Sequence, residues 1–220
     1  MVTGEMTKKE ATRITGGLSN PEKMPEGAWS ISALLCNVGS KLGAITGSVC
    51  ETCYALQHRY LWNPAQLAMA RRFDALQHPQ WIPAMIRLIR DQKHFRWFDS
   101  GDIQGMDHLL QIIAVAEGTP DTLHWLPTKE YGLITKYRKT NEFPPNLIVR
   151  VSAPMIDGNP VTIADQPVSV VAKNRDYAVD GAYHCPAKSN ADKARKLGPN
   201  CGECRNCWNP SIMMIEYPKH

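Results

Sequence analysis

Cys201, Cys204 and Cys207 follow one another at steps of three residues with Cys185 upstream, so the chain carries a C-x15-C-x2-C-x2-C array. Two consecutive CxxC steps and a fourth thiol are enough to ligate a [4Fe-4S] cluster completely. The crowding is closer to a ferredoxin spacing than to a zinc ribbon, whose paired knuckles sit further apart. Gly198, Pro199 and Gly202 supply the permissive backbone that lets amide N–H groups approach sulfur. The alternative for the same four thiols is a Zn²⁺ that staples the C-terminal segment.

A second constellation lies upstream. Cys36, Cys50 and Cys53 are spaced C-x13-C-x2-C, and three thiolates on a four-iron cluster would leave one iron open to a substrate or cofactor. Zinc ligation, or three small partly buried hydrophobes, is the alternative here. Ligands could also mix between the two groups, because separation along the chain does not fix separation in space. Seven cysteines is an odd number, and residues 1–23 are polar with no apolar run of a secretory signal. The expected setting is therefore cytoplasmic and reducing, with the thiols holding metal rather than pairing as disulfides.

Composition narrows the remaining classes. The net charge is +4 with no long run of Lys or Arg, so nucleic acid is permitted as a partner and not implied. The longest apolar stretch, Leu109 to Ala116 interrupted by Gln111, is far short of the roughly 20 residues a membrane helix needs, and no membrane partner is expected.

The chain then changes rhythm along its length. Residues 1–25, with Gly16, Gly17, Pro21 and Pro25, read as a loosely held arm. Ala28–Leu35 has strand character, Pro64–Gln77 is opened as a helix by Asn63 and Pro64, and a second helix spans Pro79–Gln92. Strand and helix then alternate: His94–Asp99, Met106–Glu117, Thr122–Leu126, Glu130–Lys139, Asn146–Ser152, with one more strand at Val168–Ala172. Such alternation is the signature of βαβ units. The expected fold is α/β, a single domain over 26–220 built as a partial or atypical (β/α) TIM-like barrel with a cysteine-rich C-terminal segment.

With these pieces placed, the sequence resembles the gene-product-88 family of bacteriophage proteins, itself similar to radical S-adenosylmethionine enzymes. The resemblance rests on Cys50-Glu51-Thr52-Cys53-Tyr54-Ala55, Phe95-Arg96-Trp97-Phe98-Asp99-Ser100-Gly101-Asp102, Trp125-Leu126-Pro127-Thr128-Lys129, Cys185-Pro186 and the Cys201–Trp208 run. It implies a partial barrel with one or two clusters, a phage protein in the host cytoplasm, and S-adenosylmethionine as a candidate cofactor. Radical S-adenosylmethionine enzymes commonly space their cysteines C-x3-C-x2-C, and the thirteen-residue first gap here departs from that pattern.

In (β/α) barrels the chemistry gathers at the C-terminal ends of the strands. Read that way, the metal ligands Cys36, Cys50, Cys53, Cys185, Cys201, Cys204 and Cys207 are joined at one rim by Asp102, Lys129 and Arg150 as candidate catalytic residues. Ser100, Asp102 and Lys173 are the candidate cofactor contacts. Two carboxylates and several cations beside a cluster suit a small anionic or zwitterionic ligand at the barrel mouth. Three readings of function stay open: a radical-S-adenosylmethionine-like enzyme, a non-catalytic iron–sulfur protein that transfers electrons or senses redox state for a partner, and a zinc-stapled binding module. The histidines read as structural apart from His184 beside Cys185, and Trp29, Trp97, Trp125 and Trp208 as packing.

Overall fold

The computed structural model describes residues 5–163, 165–173, 179–191 and 198–219. In chain order its elements are α1 (Lys8–Thr15), β1 (Ala28–Trp29), α2 (Asn37–Gly43), α3 (Asn63–Ala75), α4 (Trp81–Ile89), β2 (His94–Trp97), α5 (Met106–Glu117), β3 (Leu123–Thr128), α6 (Tyr131–Arg138), β4 (Leu147–Ile156), β5 (Val168–Ala172), β6 (Tyr183–His184) and β7 (Met214–Pro218).

The strands stand in the order β1-β2-β3-β4-β5-β7-β6, and each neighbouring pair is parallel. The first five lie side by side in chain order, as sequential βαβ connections dictate, with α5 between β2 and β3 and α6 between β3 and β4. β4 passes to β5 without a helix among the described residues. No ladder among them joins β1 to β6, so the sheet is open. The fold is thus mixed α/β on a seven-stranded parallel sheet.

Alternation along the strands sorts side chains onto two faces. Phe95, Trp97, Leu126, Val149 and Val151 face the helices and form the core with Trp29, Trp81, Met85, Leu109 and Ile112. Trp29, Trp81 and Trp97 are fully buried and meet at ring-centroid distances of 5.7 to 6.3 Å. Arg96, Trp125, Arg150, Ser152, Ser169 and Tyr217 fall on the opposite face, which the cysteine-rich C-terminal segment covers through Trp208 against Trp125 and Cys207 against Tyr217.

Three departures from the sequence expectation have local causes. The segment read as a loose arm contains α1, which starts where the Thr7 hydroxyl accepts the Glu10 N–H at 3.2 Å and which buries Ala11 and Ile14 against Ala84 of α4. The strand expected over Ala28–Leu35 ends at Trp29, because Ser32 turns the backbone into a 3-10 turn at Ala33–Leu35. β4 runs beyond Ser152 to Ile156 because residues 47–49 pair with its end: the Val49 N–H donates to Pro154 at 2.8 Å and the Ile156 N–H to Gly47 at 3.0 Å. That pairing sets Cys50 at the C-terminal end of β4.

Candidate metal centre

The first cysteine group is assembled from two loops. Cys36 sits between the 3-10 turn and α2, while Cys50 and Cys53 come from the loop pinned to β4. Gly39 shows how closely two of the sulfurs approach. A Cβ built on it would stand 3.6 Å from Cys36 Sγ, 3.7 Å from Cys50 Sγ and 3.0 Å from Cys36 Cβ. The two sulfurs therefore border one point that a side chain at position 39 would fill. Burial pushes the Cys36 thiol up to about 12, and the charges of Asp102, Cys53, Cys50 and Glu130 push the same way. Cys50 is raised too, chiefly by burial, with the Lys129 ammonium pulling it back. Buried thiols such as Cys36 and Cys50, with carboxyls beside them, ionise more readily when positive charge joins them.

Asp102, expected to contact a ligand, is spent on its own loop. Its Oδ1 accepts from the Thr128 hydroxyl at 2.6 Å and the Ile103 N–H at 2.8 Å, and its Oδ2 accepts from the Lys129 N–H at 2.8 Å. Burial raises its carboxyl, and these three donors work against that rise. The result is a clamp between the ends of β2 and β3 that aims Lys129 toward Cys50. Glu130, which the sequence reading passed over, is buried and accepts the Val38 N–H at 3.1 Å, tying α2 to the start of α6. Ser100 is buried, and its hydroxyl has no partner among the described residues.

The other expected rim residues lie elsewhere. Arg150 is fully buried and donates to the backbone carbonyls of Val168 at 3.1 Å and Ile212 at 2.9 Å. It holds the leading ends of β5 and β7 rather than the rim. Lys173 is exposed and pairs with Asp157 at 3.6 Å. Lys129 is thus the expected cation that borders the first cysteine group.

Asp99 organises the loop after Cys53. Its Oδ2 accepts from the Tyr60 hydroxyl at 3.1 Å, its Oδ1 from Ser19 at 2.9 Å, and its backbone carbonyl from the Tyr54 hydroxyl at 2.7 Å. Gly101 makes this turn feasible at φ 86°, where a Cβ would stand 2.4 Å from Ile31 Cγ1. Tyr54 also lies 3.5 Å from an Arg96 nitrogen, so it reaches from the first group toward the second.

Cys185, Cys201, Cys204 and Cys207 form the second group. Cys185 donates its N–H to Glu216 of β7 at 2.9 Å, and Cys201 donates to Lys23 at 3.0 Å. Tyr183 lies 3.5 Å from Cys204 Sγ and Tyr217 3.2 Å from Cys207 Sγ. Burial pushes the Cys207 thiol up to about 12. Cys185 and Cys201 add to the rise, while the Tyr217 hydroxyl and Arg150 oppose it. Cys185 and Cys201 are raised by burial as well and feel Cys204. Cys185 and Cys201 are thus close enough for their charges to act on Cys207, and Cys204 close enough to act on Cys185 and Cys201. His184 bonds Glu216 at 3.0 Å. Among the described residues, no three His, Cys, Asp or Glu side chains are gathered on a point that one metal ion could occupy.

Comparison with known proteins adds one finding. A family model described as gene product 88 matches residues 3–210, nearly the whole chain. No curated protein and no solved structure matches it.

Proposed function

The chain belongs to the gene product 88 family, and from that premise we propose that it is an iron–sulfur protein whose first cysteine group holds a site-differentiated cluster and whose second holds a fully ligated one. The observation that carries this reading is the meeting of Cys36 and Cys50 beside Gly39, with Cys53, Lys129 and Asp102 around them. The donor set fits. Thiolates are the ligands of such clusters, the absent side chain at position 39 leaves room against two of them, and an added cationic core would offset the burial that raises the Cys36 and Cys50 thiols.

A cluster with one open iron supplies an electron or a Lewis-acidic iron to a bound small molecule. The chain's own residues would then orient that molecule at a partly barrel-like mouth. Lys129, set by the Asp102 clamp, presents an ammonium beside Cys50. This arrangement suits an anionic or zwitterionic ligand, and S-adenosylmethionine is the candidate carried by the family resemblance. The site would work in a host cytoplasm.

A second reading has its own support. Both Asp102 oxygens are occupied, Arg150 is spent on carbonyls and Lys173 on Asp157. A protein that only transfers electrons or senses redox state needs none of these as catalysts. Purification without oxygen, with iron, sulfide and zinc quantified beside an absorption spectrum, tests the shared premise. About eight irons per chain support two four-iron clusters, about four support one, and zinc without iron overturns both readings. Binding and reductive cleavage of S-adenosylmethionine separate the enzyme from the electron carrier.

A further inference from the structure

Three buried N–H donors on the face of the sheet away from the helices have no acceptor among the described residues: Arg96 Nε, Trp125 Nε1 and Arg150 Nε. Burying a donor without a partner is costly, and three on one surface call for a common explanation. They come from adjacent strands, since Arg96 of β2 is level with Trp125 of β3, and Pro127 of β3 with Arg150 of β4. The Arg96 guanidinium carbon lies 4.6 Å from the Trp125 ring centroid. Trp125 in turn packs at 5.4 Å on Trp208 and 6.3 Å on Tyr217, the two residues that flank Cys207. Arg150 is close enough for its charge to act on Cys207 and Tyr217.

Neither guanidinium has a carboxylate partner among the described residues. Arg96 donates to Met24 Sδ at 2.7 Å and lies 3.5 Å from the Tyr54 hydroxyl, and Arg150 is bonded to carbonyls. Two guanidiniums without a carboxylate in salt-bridge contact, Arg96 with Asp99 acting on its charge and Arg150 with no carboxylate acting on its own, therefore face the four-thiol group together with an indole N–H. The first cysteine group has mixed company, the carboxyls of Asp102 and Glu130 acting on Cys36 and the single Lys129 ammonium on Cys50, so carboxyls outnumber cations there.

We propose, resting on the ligation reading above, that Arg96, Trp125 and Arg150 are the hydrogen-bonding and charge environment of the cluster held by Cys185, Cys201, Cys204 and Cys207. They raise its reduction potential above that of the cluster at Cys36, Cys50 and Cys53. The physical cause is charge. One electron arriving from an external donor adds one negative charge to a cluster without making or breaking a bond. Guanidinium and N–H donors favour that added charge, and neighbouring carboxylates oppose it. An electron shared between the two sites would settle at the second, and Tyr54 with Arg96 spans the gap between them.

The test is a dithionite titration of the full chain, purified without oxygen and followed by electron paramagnetic resonance, with the Cys50→Ala chain identifying which signal belongs to the second group. At the unaltered midpoint, Arg96→Gln is expected to lower the reduced-to-oxidised ratio roughly tenfold, which is about 59 mV for a one-electron couple. Trp125→Phe should shift it the same way by less, and Arg96→Lys should recover part of the loss. Unchanged midpoints in variants that keep their iron overturn this inference and leave cluster binding intact, as does a second-group midpoint below the first. Absence of iron from the unaltered chain overturns both. If Arg96→Gln fails to load iron, Trp125→Phe decides by the same criterion.

Discussion

The Trp208 indole N–H donates to the backbone carbonyl of Phe95 at 2.9 Å, joining the C-terminal cysteine segment to the middle of β2 across 113 residues of chain. Trp208 is buried and also lies edge-on to His94 and Trp125, so it locks Cys207 onto the sheet. Trp208→Phe keeps most of the packing and removes the donor. The expected cost is about 1 kcal/mol, because a buried hydrogen bond is lost. Urea unfolding checks this, and an unchanged midpoint would mean that the segment is held by its other contacts alone.

Gly101→Ala should be among the more damaging single-methyl additions. The residue sits at φ 86°, and the new Cβ would meet Ile31 Cγ1 at 2.4 Å and the Ile31 carbonyl oxygen at 2.9 Å. Left-handed backbone and overpacking together suggest a loss of roughly 2–4 kcal/mol. The loop ending in Asp102 would move with it, so metal content should fall alongside the denaturation midpoint.

The two cysteine groups are expected to respond differently to substitution. Cys201 and Cys204 lie in a segment with little regular structure, closed by short turns and by Trp208, so on the proposed reading ligation would supply much of its order. Cys201→Ala or Cys204→Ala should lower soluble yield. Cys50→Ala, in a loop already paired with β4, should leave a soluble protein with less iron. Equal solubility and iron content in all three variants would refute this division.

Acid should destabilise the fold through His108 and His124. Burial lowers each from 6.5 to about 3, so the unfolded chain takes up protons that the folded chain refuses. Stability is then full above about pH 6.5 and falls as pH drops toward 3. At about pH 5 the loss is on the order of 2 kcal/mol for each histidine. The raised carboxyls of Asp102 and Glu130 act in the opposite sense and oppose this loss, so the histidine contribution is read from the difference between the unaltered chain and the histidine variants. Melting followed by circular dichroism at about pH 6.5 and about pH 5 should show the drop. A His108→Gln, His124→Gln chain should lose most of the slope, and an unaltered slope would assign the acid response elsewhere.

The elements with strong periodicity were legible in the sequence. Met106–Glu117 and Val168–Ala172 are found with the expected bounds, because one repeats apolar residues at helical spacing and the other is a short β-branched run between turns. α1 was hidden because most of its residues are charged or polar and its cap, Thr7, is a lone threonine. β7 was hidden because it is five residues long and follows Pro210, so only its place between two other strands makes it a strand. At the site, the CxxC spacings marked out two groups of candidate ligands, but side-chain direction is invisible in sequence. Arg96 reads as any strand cation until its stacking on Trp125 is seen, and Asp102 reads as a free ligand until its three donors are counted.

β7 lies between β5 and β6 although it follows both in the chain. β6 therefore cannot dock until β7 has emerged and inserted, and until then the Cys207 end of the C-terminal segment has Trp208 on β2 as an anchor while the Cys185 end lacks its strand partner. On a ribosome the first five strands can collapse early through neighbouring pairs, whereas this last, non-local pairing must wait. Assembly of the sheet's far edge is then a late event, and whatever delays the insertion of β7 would leave chains whose first five strands are paired and whose last two are not.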